Sequence, residues 1–446
     1  MTTTRTDVVI IGAGTAGLAA YRAAAAHTDR VILVENGPGG TTCARVGCMP
    51  SKLLIAAAEA AHDARTAEPF GVHANVVVDG FAVMERIRRE RDRFVGFVLE
   101  SHDAIPEERK LRGTARFLGP NMLDVSGTLV ETKATVVATG SSPFIPAMFD
   151  RVRDRLVVND DVFAWRGLPE SVAVFGTGVI GLELGQALHR LGVRVKVFGK
   201  GGRVGPISDP VVSAAAEHSL RGELDIDFDA QIDSVEPADG PTGVLVNGER
   251  FDAALIAAGR RPNVRGIGLD PASLSKIDRH TLQMGDQPIF VAGDANDQRP
   301  LLHEAADEGR IAGENAARFP NVVPGFRRSP LAIVFTDPQI AIAGSTWDEV
   351  KDHAPVVGHI DFRDQGRSRV MRQNHGAARL YFDRTSRRFL GAEMAGPRAE
   401  NIGHLLAWAH QSALTLDQML AMPFYHPVVE EGIRTALRDA AKNLSQ

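Results

Sequence analysis

The chain has 446 residues, 44% of them hydrophobic and 24% charged, with a formal net charge of −5. That length suggests about two to four domains, and the composition is that of a globular chain, not a disordered or low-complexity one. Mild acidity gives no reason to expect nucleic acid or an anionic membrane as partner, and no apolar run is long enough to span a bilayer.

The first element is Asp7-Val8-Val9-Ile10-Ile11-Gly12-Ala13-Gly14-Thr15-Ala16-Gly17, followed by an alanine-rich stretch and Val31-Ile32-Leu33-Val34-Glu35. It reads as apolar strand, glycine turn, helix, apolar strand. A signal peptide over 8–26 is disfavoured, because Arg5 and Asp7 precede the apolar run and Arg22 interrupts it. Gly12, Gly14 and Gly17 permit a tight turn, close approach of backbone to a pyrophosphate, and close helix–strand packing. The diphosphate of a dinucleotide then rests on the amides of the helix N-terminus. Glu35 falls 18 residues after Gly17, where a carboxylate can hold the ribose hydroxyls of an adenosine.

Next comes Gly40-Thr41-Thr42-Cys43-Ala44-Arg45-Val46-Gly47-Cys48-Met49-Pro50-Ser51-Lys52, which holds the only two cysteines of the chain, five positions apart. A loop that short removes little unfolded-state entropy, so the pair is not a structural staple. In a regular helix the two residues would lie roughly 8–9 Å apart, beyond the ~7 Å that a disulfide tolerates. The pair therefore needs a distorted turn, and Gly47 supplies the backbone freedom. Pro50 and Ser51 are expected to start a helix that runs through Lys52 to Ala58. A thiol at a helix N-terminus beside a lysine is acidified and reactive. Scarce cysteine and no signal peptide point to a reducing, cytoplasmic setting, where a disulfide is catalytic.

Further on, Thr135-Val136-Val137-Ala138-Thr139-Gly140 reads as a buried strand ending in a glycine turn. The opening design then repeats as Ser171-Val172-Ala173-Val174-Phe175-Gly176-Thr177-Gly178-Val179-Ile180-Gly181, with its second strand at Val193 to Phe198. Two such units imply two dinucleotides. Ala253 to Gly259 repeats the strand-and-glycine ending, and Ile289-Phe290-Val291-Ala292-Gly293-Asp294 sets a carboxylate at a strand tip, well placed for a polyol hydroxyl. After Pro324 the glycine turns give way to strand-like Ala332 to Phe335 and a helix near Trp408, read as a separate α+β domain.

Together these motifs, in this order and with a C-terminal His426-Pro427, resemble the pyridine-nucleotide–disulfide oxidoreductases, the flavoprotein family of dihydrolipoamide dehydrogenase and glutathione reductase. The resemblance spans essentially the whole chain. It implies an α/β fold with two Rossmann-like dinucleotide-binding domains and a C-terminal α+β dimerisation domain. The implied division is an FAD-binding domain at 1–146 and 264–325, an NAD(P)-binding domain at 147–263, and an interface domain at 326–446. The resemblance also implies a homodimer whose active site is shared between subunits, and no metal.

Residue by residue, Cys48 resembles the thiol nearest the flavin and Cys43 the interchange thiol that meets substrate sulfur. Lys52 and Glu183 resemble the ion pair beside flavin and nicotinamide. His426 resembles the acid–base residue supplied by the partner subunit, and Glu431 the carboxylate that orients it, with Glu430 as the rival. Thiol–disulfide exchange needs such a base to form thiolate and an acid to protonate the leaving sulfur, and histidine titrates in the right range. The same resemblance puts Gly12, Gly14, Gly17, Glu35, Thr42, Lys52, Ala115, Thr139, Gly140 and Asp294 around FAD. It puts Gly176, Gly178, Gly181, Lys200 and Gly259 around the nicotinamide cofactor.

Some positions depart from the family pattern. Arg45 stands where asparagine is frequent, Thr41-Thr42 replaces Gly-Thr, and Val428 follows His-Pro where threonine is common. NAD-using members usually end the second strand of the nicotinamide unit with a carboxylate. Here that position is Gly199, followed by Lys200 and Arg203, so NAD and NADP both stay open. The segment Leu301-Leu302-His303-Glu304-Ala305-Ala306-Asp307-Glu308-Gly309 is similar to the dihydrolipoamide dehydrogenase branch, and a second, C-terminal cysteine pair is missing. The implied reaction is dihydrolipoamide plus NAD⁺ to lipoamide plus NADH, on a small dithiol or a lipoyl domain. The alternatives are an NADPH-dependent reductase of another small disulfide, a flavin diaphorase or quinone reductase, and a catalytically idle subunit of a larger complex.

Overall fold

The structure is a computed structural model that describes residues 3–444. Its first sheet is built on β1 (Thr3–Ile11), followed by α1 (Thr15–Ala25) and β2 (Val31–Glu35). Two helices carry the cysteines, α2 (Thr42–Val46) and α3 (Cys48–Arg65), and α4 (Gly80–Asp103) packs beside them. The strands β3 (Lys110–Arg112), β4 (Ala115–Gly119), β5 (Met122–Val125) and β6 (Thr128–Val137) complete this stretch.

β1 lies between β2 and β6, parallel to both, with Val8 opposite Val31 and Ala134. Such strands are covered on both faces, which is why β1 and β2 read as unbroken apolar runs instead of alternating ones. β6 divides its partners. Its first half pairs antiparallel with β5, and its second half pairs parallel with Ile289–Val291, aligning Ile289 with Thr135. The chain therefore leaves this sheet after residue 137 and returns to it at 289. On the return, the helix Leu302–Arg318 packs on α1 so closely that a Cβ on Gly309 would sit 2.2 Å from the Ala16 carbonyl oxygen.

The excursion builds a second parallel sheet, with Ser171–Phe175 between Arg194–Phe198 and Ala253–Ile256. A three-stranded antiparallel sheet (Val235–Pro237, Val244–Val246, Glu249–Phe251) lies beyond it. The last quarter forms a five-stranded antiparallel sheet whose central strand is Phe389–Gly396, with the helices Ala399–Gln411 and Glu431–Leu444 against it. The architecture is thus α/β, two Rossmann-like units followed by an α+β unit. One apolar cluster joins all three: Leu54 and Ile55 of α3, Leu182 and Leu188 of the second unit, and Val334 and Ile340 of the third. Among the described residues no helix is long and apolar enough to cross a membrane.

Candidate active site

The two glycine turns have one geometry. A Cβ on Gly12 would lie 2.4 Å from the Ala138 carbonyl oxygen, and one on Gly17 would lie 1.8 Å from that of Gly12. In the second turn the same positions, Gly176 and Gly181, would meet the Ala257 and Gly176 carbonyl oxygens at 2.3 and 1.9 Å. The middle glycines differ in kind. Nothing lies within 4 Å of a Cβ on Gly14 or Gly178, so each turn presents open backbone at a helix N-terminus, where a pyrophosphate binds.

The Glu35 carboxylate at the tip of β2 accepts the Ala13 N–H at 2.6 Å with one oxygen and the Gly37 N–H at 2.7 Å with the other. It therefore also ties the glycine turn to its own strand, a role not expected from the sequence. Among the described residues the buried hydroxyl of Thr139 has no hydrogen-bond partner, and Gly140 takes a left-handed φ of 67°. Asp294 accepts the Ser141 hydroxyl at 2.7 Å, and that hydroxyl accepts Arg260 Nε at 2.8 Å. Open backbone at Gly14, an unpartnered Thr139 hydroxyl and carboxylates at two strand tips fit a bound FAD.

Ser141 and Arg260 are missed by the sequence reading. They meet because the segments after Gly140 and Gly259 pair antiparallel, with Ser141 opposite Pro262. The two strand-ending motifs, read separately in the sequence, are stitched together and join the two dinucleotide units. Ala115 is buried opposite Val125, so only its main chain is left for a ligand. Thr42 is exposed at the start of α2. Lys200 is exposed beyond Gly199, and among the described residues neither it nor Arg203 forms an ion pair. A Cβ on Gly199 would lie 2.6 Å from the Phe228 carbonyl oxygen, so the position takes a carboxylate only if that turn moves.

The cysteines lie on either side of a break. Gly47 (φ −124°, ψ −119°) separates α2 from α3, and a Cβ there would crowd the Cys43 Cα at 3.1 Å. The expected helix start at Pro50 and Ser51 is corrected: α3 begins at Cys48. Pro50 fits inside the first turn, where an N–H has no intrahelical partner to lose. Cys48 thus sits at the helix N-terminus itself, and both thiols are free.

The two thiols differ in acidity. Cys48 is lowered to about 7, first by its hydrogen bond with Cys43 and then, against burial, by the Lys52 charge. The same hydrogen bond, with burial, pushes Cys43 up. Behind them, Lys52 Nζ meets Glu183 Oε2 at 2.7 Å, with Glu183 only 4% exposed. The other oxygen of Glu183 accepts the Phe335 N–H at 2.9 Å, and Lys52 Nζ lies 4.4 Å from the centre of the Phe335 ring.

His426 lies elsewhere. Its Nδ1 contacts both oxygens of Glu431, at 3.0 and 3.1 Å, and its side chain is 81% exposed. Glu431, not Glu430, is the carboxylate that touches the ring. The His426 contact holds Glu431 below the usual carboxylate range. With Nδ1–H given to Glu431, Nε2 is turned free for proton transfer. Tyr425, the residue before it, is exposed as well.

Residues 6–309 match the family model for the pyridine nucleotide-disulphide oxidoreductases, and residues 331–437 match that family's dimerisation domain. The chain belongs to this family of enzymes, which use FAD and a pyridine nucleotide. It is 30% identical to a dihydrolipoyl dehydrogenase of Haloferax volcanii, over 98% of this chain and 96% of the relative. Among solved structures it is similar to the HOCl-induced flavoprotein disulfide reductase RclA of Escherichia coli, with a TM-score of 0.80 and 20% identity over 97% and 99% of the two chains. LpdA of Mycobacterium tuberculosis has the same TM-score at 24% identity, over 98% and 99%. At those identities the two solved structures speak for the fold.

Proposed function

We propose that the protein is an FAD-dependent dithiol/disulfide oxidoreductase that oxidises dihydrolipoamide, free or on a lipoyl domain, with NAD⁺ as acceptor. The observation that carries this reading is geometric: Cys43 and Cys48 flank the break at Gly47, with Cys48 at the N-terminus of α3 one turn before Lys52, whose ammonium is paired with buried Glu183. FAD, when bound by the 1–146 and 264–325 segments, supplies the two-electron relay between thiols and pyridine nucleotide. Glu35, Thr139, Asp294 and the Gly14 amide would hold it, and Gly178 with Lys200 and Gly259 would hold the nucleotide of the 147–263 segment.

In the dithiol-oxidising direction the pair starts as a disulfide. His426 takes the proton of one substrate thiol, and the resulting thiolate attacks Cys43 Sγ. The Cys43–Cys48 bond breaks and Cys48 leaves as thiolate, which its helix N-terminus and Lys52 stabilise. The second substrate thiol then attacks the mixed disulfide and Cys43 leaves, taking up a proton, which its raised affinity favours. Substrate becomes disulfide and the pair becomes dithiol, two electrons having moved. The exposure of His426 supports a homodimer in which it serves the thiols of a second copy.

Purified protein should reduce NAD⁺ with dihydrolipoamide, and Cys43→Ser or Cys48→Ser should cut that turnover at least about 1000-fold. Dithiol turnover retained in either variant would sink the mechanism. In the dithiol form, alkylation of Cys48 should rise as pH rises through about 7 and then level off, because a thiol lowered from 9.0 is thiolate above its own pKa. Gly199 followed by Lys200 and Arg203 favours a second reading, an NADPH-dependent reductase of another small disulfide. Reduction of the protein by NADPH with no dihydrolipoamide turnover would select it.

A further inference from the structure

The helix Val179–Arg190 carries Glu183, Gln186 and Arg190 on one stripe, all buried. All three hold one short strap from the third unit, residues 335–337. Glu183 takes the Phe335 N–H at 2.9 Å. The Gln186 amide accepts the Asp337 N–H and donates to the Asp337 carbonyl, both at 2.8 Å. Arg190 Nη2 reaches the Asp337 carboxylate at 2.9 Å while Nε, at 2.5 Å, and Nη2 grip Glu223.

His375 Nε2 closes on the other Asp337 oxygen at 3.3 Å. Burial would raise the Asp337 carboxyl, but His375 and Arg190 outweigh it and hold it well below the usual range. Glu59 and Glu223 face the same junction, with His62 3.6 Å from Glu223. The strap thus supplies two of the contacts that fix the Lys52 ammonium: the amide that sets Glu183 and the ring beside Nζ.

We propose that Asp337 is a positioning residue, which, pinned by Arg190 and Gln186, holds the strap 335–337 so that Lys52 stays against Cys48. This rests on the dithiol reading above. The seam between these two units has a second clamp, where Glu393 takes the Ser208 and Asp209 amides and Asp209 takes the Tyr381 hydroxyl at 2.9 Å. Among the described residues none of that clamp's hydrogen bonds reaches Lys52, Glu183 or Phe335, so it serves as the control for plain domain docking.

The test uses holoprotein reduced to the dithiol, with iodoacetamide alkylation of Cys48 followed against pH by mass spectrometry. The Lys52 charge pulls Cys48 down more than Glu183 pushes it up, so loosening the strap raises the midpoint. Asp337→Asn should alkylate about threefold more slowly at neutral pH, with flavin content unchanged. Lys52→Met should do so at least as strongly, and Tyr381→Phe should match wild type. If Asp337→Asn fails to fold, Arg190→Lys, which keeps the charge but cannot bridge Asp337 and Glu223, should show the same shift.

A wild-type profile for Asp337→Asn beside a shifted Lys52→Met overturns the positioning role and leaves the dithiol reading intact. A wild-type profile for Lys52→Met shows that Lys52 does not act on Cys48 and overturns the positioning role, whereas the dithiol reading falls only if Cys43→Ser or Cys48→Ser keeps dithiol turnover. An equal shift in Tyr381→Phe reduces the strap to domain docking and overturns the proposal.

Discussion

The two glycine turns of this chain are near copies, and what surrounds them is not. In both, the first and third glycines are forced by backbone contact and the middle one faces open space. In the first unit, β2 ends in Glu35, which ties down the turn through the Ala13 N–H. In the second, the equivalent strand is followed by Gly199, packed against Phe228, and the turn is tied instead by the Thr177 hydroxyl, which donates to the Arg203 carbonyl at 2.6 Å. The glycine turn is a local backbone device that can be duplicated, whereas the strand end beside it differs between the two units.

The largest expected effects test the shared cradle. Gly17→Ala and Gly181→Ala each force a Cβ into a carbonyl oxygen less than 2 Å away, at a cost of ~3 kcal/mol or more. Gly17→Ala should yield protein without FAD, read from flavin absorbance. Gly181→Ala should keep FAD and lose reduction by NADH and NADPH. The same outcome from both variants would mean that the two cradles do not hold separate dinucleotides.

Exchanging the strand ends comes next. Glu35→Gln loses a charged acceptor for the Ala13 N–H and should cost about 1–3 kcal/mol, seen as a lower Tm and faster FAD loss. Gly199→Glu should destabilise by a similar amount and fail to improve NADH use, because the Phe228 turn obstructs it. A clean gain in NADH preference would show that turn to be pliable. The smallest effect belongs to the exposed cations. Lys200→Ala with Arg203→Ala should weaken NADPH relative to NADH by roughly 2- to 10-fold, and less at high salt.

The sequence makes legible whatever depends on neighbours along the chain. Unbroken apolar runs mark the parallel strands, glycine spacing marks the turns, and the lone Cys43–Cys48 pair with Gly47 between marks a distorted turn. The start of α3 is off by two residues because Pro50 reads as a first helical position when it is in fact a third. Of the meander β4–β5–β6 only the end of β6, Thr135 to Val137, is anticipated, since the short half-exposed strands β4 and β5 carry little periodicity. Ser141 and Arg260 leave no local signal, since they are 119 positions apart and meet only when two strand ends pair.

The sequence by itself determined the two glycine turns, the isolated cysteine pair and the candidate acid–base histidine, because each is a short-range pattern of residue types. Only the tertiary structure decided that Glu431 and not Glu430 faces His426, that the Phe228 turn crowds Gly199, and that Lys52 is fixed by a strap from the third unit. Those are contacts between separate elements. Their energies depend on burial and on distances of a few tenths of an ångström, which no spacing along the chain encodes.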